Sequence, residues 1–135
     1  MFGGNEKMTQ EDKVISCETA KRLKEASVPQ ESKWYWVLVS NNYEKGHPSY
    51  KTHWELSDET YNVIEYYSAF DIPELLEIFR ELITIELIYN KNSDRYYATY
   101  KDKFHTESNK KLSEALAELL LWTIKEGYVK VEEKK

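Results

Sequence analysis

Apolar and polar positions follow two rhythms along this chain. In SKWYWVLV, residues 32–39, Trp34 and Trp36 fall on one side of a strand and Tyr35 and Val37 on the other, because successive strand side chains point to opposite faces. The same period of two returns over residues 50–56, where Tyr50, Thr52, Trp54 and Leu56 share a face opposite Lys51, His53 and Glu55. NNYEKGHPS lies between them and is rich in turn residues, so the pair predicts a β-hairpin. A second hairpin is predicted from TIELIYN and RYYATYK around NKNSD, with Ile83, Ile85, Leu87 and Tyr89 on one face. Residues 57–70, with the run YNVIEYYSAF, fit either an edge strand or an extended connection.

The helical rhythm appears in three places. In ISCETAKRLKEASVP, Ser16 is placed to cap, Ile15 to pack back on Ala20, Leu23 and Ala26 continue the stripe, and Pro29 prevents extension. Asp71 with Glu74 forms a D-x-x-E capping box, Pro73 suits a first turn, and Ile72, Leu75, Leu76, Phe79, Leu82 and Ile83 make one apolar stripe. The last helix is expected to start at Thr106 or Ser108 and to run through LSEALAELLLWTIKEG. Leu112, Ala115, Leu116, Leu119 and Thr123 keep its spacing, and Gly127 stands where it would end. Leu120, Leu121, Trp122 and Ile124 widen its apolar surface, which implies burial on more than one side, within the domain or against a second subunit.

These elements predict an α+β fold: an antiparallel sheet built from two β-hairpins, packed against two main helices, with a short N-terminal helix. A length of 135 residues fits one domain, here expected over residues 14–130, between polar tails 1–13 and 131–135 read as flexible. Residues 1–14 lack the apolar centre of a secretory signal, and no uninterrupted apolar run, Leu119 to Trp122 included, is long enough to span a bilayer, so a cytoplasmic protein without membrane contact is expected.

The net charge of −5 is uneven: residues 55–94 carry −8, against +1 before them and +2 after. Such acidity argues against simple phosphate-backbone binding. Candidate chemistry is sparse. His47, His53 and His105 lack the spacing that sets two imidazoles on one helical face for a metal, no G-x-S-x-G elbow is present, and four glycines form no phosphate-cradling loop. The single cysteine, Cys17, reads as a small residue at a helix start. Asp58-Glu59 reads as a solvated loop pair, and Glu74, Glu77 and Glu81 as a solvated face or a dock for a basic partner. No cofactor or metal is expected, and the chain reads as noncatalytic.

The aromatic content is the oddity: four Trp, eleven Tyr and four Phe, many on predicted strands. Cross-strand packing accounts for most of them, and Tyr and Trp are also enriched at protein interfaces. The candidate interaction surface is Tyr35, Val37, Arg95, Tyr97 and Trp122, with a protein partner or a second copy of the chain as the expected occupant. Nucleic acid, held by the aromatic and basic segment Arg95 to Lys103, is the alternative.

ISCETAKRLKEASVPQESKWYWV, YYSAFDIPELLEIFREL, ITIELIYN, RYYATYK and TESNKKLSEALAELLLWTIKEG together resemble a group of small uncharacterised proteins encoded by bacterial prophages and mobile elements. Tyr67, Ala69 and Glu74 fall in that group's Y-x-A-P-T-x-x-E stretch, with Phe70 and Asp71 standing in place of its Pro-Thr pair. The resemblance spans most of residues 14–128 and implies an accessory protein of a phage-derived locus. It brings no activity and no catalytic residues with it.

Overall fold

The structure, a computed structural model, describes residues 9–79, 85–101 and 103–129. A first helical turn, α1 (Gln10–Lys13), opens on a capping box between Thr9 and Asp12, within the stretch whose polarity reads as tail. Val14 and Ile15 follow it into the core, where Val14 bridges Asp71 and the Ile15 N–H donates to the Phe70 carbonyl at 3.0 Å. In α2 (Cys17–Glu25), Ser16 accepts the Thr19 N–H as the cap, and Ile15, Ala20 and Leu23 are fully buried on one stripe. The helix stops at Ser27, whose φ of +69° lets the Val28 and Ser27 N–H groups reach the carbonyls of Leu23 and Lys24. Glycine is the usual residue for that stop.

The first sheet contains β1 (Tyr35–Ser40), β2 (Thr52–Ser57) and β3 (Glu65–Ser68), all antiparallel, in the order β2-β1-β3. Residues 57–70 thus supply an edge strand. Trp36, Trp54 and Tyr67 share the inner face and pack on the core; Trp54 stacks on Tyr67 with centroids 5.0 Å apart, and the Trp36 indole N–H donates to the Ile15 carbonyl at 2.8 Å. The Trp54 and Leu56 row therefore faces inward, as the alternation predicts.

α3 (Ile72–Phe79) begins with the expected box: the Asp71 N–H donates to Glu74 Oε1 at 3.0 Å and the Glu74 N–H to Asp71 Oδ1 at 2.9 Å. Leu75 and Phe79 are buried while Leu76 is exposed, and Glu81, Leu82 and Ile83 lie outside the described residues.

The second sheet contains β4 (Ile85–Asn90), β5 (Arg95–Tyr100) and β6 (His105–Asn109), in the order β4-β5-β6. Here the structure corrects the expected helix start. Residues 105–109 are a strand, with Thr106 opposite Thr99 and their hydroxyls 2.8 Å apart; the helix, α4, runs Leu112–Lys125 after an uncapped Lys111. An isolated hairpin is marginally stable in water, and each of the two predicted hairpins gains a third strand. The class is α+β, with antiparallel strands, two main apolar helices and a short N-terminal helix, and the strands form two sheets.

α4 ends at Gly127, with φ +80°, where the Tyr128 N–H reaches the Thr123 carbonyl at 2.9 Å and the Gly127 N–H that of Ile124 at 3.1 Å. This closes the last turn as a Schellman motif. Its buried residues, including Ala115, Leu116, Leu119, Leu120 and Thr123, face β5 on one side and α2 and α3 on the other. One cluster of buried side chains runs from Leu23 through Phe70 and Leu116 to Ala98 and Tyr100, so both sheets rest on the same core.

Candidate interaction surface

Register decides which way each candidate side chain points. Val37 lies in the central strand opposite Tyr66 on one side and Glu55 on the other, with Tyr35 two residues along the same face. These larger neighbours leave it only 1% exposed, so Val37 is withdrawn from the interaction surface. Tyr35 is half-buried, edge-on to Tyr66 at 5.6 Å, and its hydroxyl accepts the Ser32 N–H at 3.3 Å.

Arg95 is likewise engaged: its guanidinium donates to the Ser108 hydroxyl at 3.3 Å and the Ser108 carbonyl at 3.1 Å, tying β5 to β6. Tyr97 is half-buried on the same outer face, its hydroxyl 3.5 Å from that of Ser93. Lys101 pairs with Glu86 across the β4–β5 ladder at 2.9 Å. Two cations of the Arg95 to Lys103 segment are therefore held within the sheet.

Trp122 is the candidate that the fold places among other rings. It projects from the last turns of α4 onto the inner face of the second sheet, stacked on His105 at 3.8 Å and nearly parallel to it. Tyr100 meets it edge-on at 5.8 Å and Tyr128 lies 5.4 Å away, while Lys103 Nζ sits 5.1 Å over the Tyr128 ring. His105 Nε2 pairs with Glu107 Oε2, two residues along the same face. Tyr100 forms a buried floor, Trp122 and His105 a half-buried wall, and Tyr128 an exposed rim.

Phe104 adjoins this cluster in the β5–β6 turn and is 86% exposed. Its φ is +50°, in the left-handed region, held by the Lys103 N–H to the Tyr100 carbonyl at 3.2 Å and the Phe104 N–H to the Lys101 carbonyl at 3.3 Å. A bulky residue is an outlier there. In sequence the only signal is one apolar side chain amid the polar KDKFHT.

The β4 edge shows a different feature. Leu87, Ile88 and Tyr89 are exposed in succession at 37%, 49% and 48%. Leu87 and Tyr89 do share the inner face with Ile85, as the alternation predicts, but α4 lies over β5 and β6 and leaves them open.

The remaining candidates are local. His47 Nδ1 accepts the Ser49 N–H at 2.9 Å, and His53 meets Glu55 at 3.0 Å on an exposed face. Burial pushes the Cys17 thiol up, the opposite of activation. Glu74 caps α3 and accepts the Lys33 N–H at 3.0 Å; burial raises its carboxyl above the ordinary value, although those hydrogen bonds oppose the shift. Among the described residues, no three His, Cys, Asp or Glu side chains are grouped to hold a metal, and no helix is long and apolar enough to cross a membrane.

No protein-family model, curated protein or solved structure matches the chain.

Proposed function

We propose that the protein is a noncatalytic protein-interaction module, an accessory cytoplasmic product of a phage-derived locus, that meets its partner with the second sheet and the ring cluster at its end. The phage setting rests on the resemblance of residues 14–128 alone. The observation that carries the binding reading is Phe104. A left-handed backbone costs an L-residue about 1–2 kcal/mol. A side chain left 86% exposed buries too little to offset that cost within the fold. Strain of this kind collects where a side chain is held for use rather than for stability.

The nucleic-acid alternative draws support from Lys103 over Tyr128 beside Phe104, an arrangement in which a base could stack. The pairing of Arg95 with Ser108 and of Lys101 with Glu86 weighs against it, since phosphate binding needs cations free to contact the backbone.

A photo-crosslinking phenylalanine at Tyr128, introduced in cells, tests both. The expected result is a discrete protease-sensitive adduct that Phe104→Gly abolishes while raising thermal stability. A nuclease-sensitive adduct would transfer the assignment to nucleic acid. No adduct, or one indifferent to Phe104→Gly, would sink the proposal.

A further inference from the structure

We infer that β4 is a self-association edge, to which a second copy of the chain adds its own β4 antiparallel, joining two three-stranded sheets into one. This deepens the interaction reading by naming one partner, and it rests on that reading only in taking binding to be the chain's work.

The sheets have four edge strands among the described residues, and three are guarded. β2 exposes His53 and Glu55, β3 is four residues long and starts with exposed Glu65, and β6 reads HTESN. Charge, brevity and polarity are the usual means of keeping an edge from pairing with another chain. β4 is the least guarded of the four. IELIYN contains no Pro, Gly or Lys, its one charge is neutralised by Lys101, and three successive apolar side chains are exposed.

The sequence of β4 also names the occupant. In an antiparallel pair related by a two-fold axis normal to the sheet, opposed residues face the same side. Centred on Ile88, the pairing sets Ile88 against Ile88 of the partner subunit, Leu87 against Tyr89 of the partner subunit, and Glu86 against Asn90 of the partner subunit. The three exposed apolar residues meet apolar partners on both faces and no like charges are opposed; only at the end of the ladder does Ile85 meet an ammonium, at 91. Centring on Leu87 would instead put Ile88 against a carboxylate at 86, and centring on Tyr89 would put Leu87 against an ammonium at 91. The strand is thus self-complementary in one register, and that register places residue 88 opposite itself.

Sedimentation velocity on the full chain over a dilution series should show a concentration-dependent monomer–dimer equilibrium. Ile88→Lys, which opposes two ammonium groups at the axis, should be monomeric throughout with an unchanged far-ultraviolet circular dichroism spectrum. In a Cys17→Ser background, Ile88→Cys should form a disulfide-linked dimer on mild oxidation, since directly opposed strand positions lie within disulfide reach, while Thr106→Cys on β6 should not. A wild-type chain that stays monomeric, a dimer that survives Ile88→Lys, or cross-linking at 106 as fast as at 88 would overturn the proposal. The Tyr128 adduct reports separately: a monomeric chain that still gives the Phe104-dependent adduct overturns self-association and leaves the interaction reading standing.

Discussion

In the first sheet the inner aromatic row of Trp36, Trp54 and Tyr67 packs on the core and both edge strands carry exposed charge, whereas in the second α4 crosses β5 and β6 and leaves β4 apolar and open. The two sheets have the same strand count and the same antiparallel pairing. The position of the covering helix, not the sheet architecture, separates a closed surface from an available one. A helix is about 10–12 Å across, so it covers two strands spaced near 4.8 Å more readily than three.

The largest effect is expected in the core that the sheets share. Leu116 is fully buried between them, and Leu116→Ala should cost about 2–5 kcal/mol with both sheets melting together. Separate transitions for the ring cluster around Trp122 and for the first-sheet tryptophans in near-ultraviolet circular dichroism would show two independent units instead. A smaller loss is expected for Asp71→Ala, which removes the α3 cap at about 1 kcal/mol and should lower the urea midpoint without changing the slope.

Two glycine substitutions sharpen the contrast between structural and displayed strain. Ser27→Gly and Phe104→Gly each relieve a left-handed residue, and each should raise stability by about 0.5–1 kcal/mol after the entropy of the added glycine. Thermal unfolding reads both gains, but only Phe104→Gly should impair binding, because Ser27 does no more than end a helix. The smallest effect is expected at Ile88: as a half-exposed strand residue, its replacement by Thr should change the monomer's urea stability by no more than about 0.5 kcal/mol, measured at high dilution.

The elements legible in sequence are those with a local cause. Ser16, the Asp71–Glu74 box and Gly127 mark helix ends by hydrogen bonds that close within a few residues, and the structure forms each of them. β6 was not legible, because Thr106 and Ser108 have the side chains of helix caps and only their pairing with β5 makes them a strand. Burial of Val37 was hidden for a related reason: alternation tells which residues share a face but not how tall the neighbours across the sheet are. Of the proposed surface, Trp122 was visible as excess apolar width on its helix. Phe104 was not, since its exposure and its φ arise from a turn whose form depends on the β5–β6 register.

Among the described strands β4 alone of the four edges is open, and amide hydrogen exchange measured against protein concentration reads this edge by edge. Protection of the β4 amides turned away from β5 should rise with concentration, while the edges of β2, β3 and β6 exchange at constant rates. Exchange at β4 that is independent of concentration, or protection gained equally at β2 or β6, would contradict it.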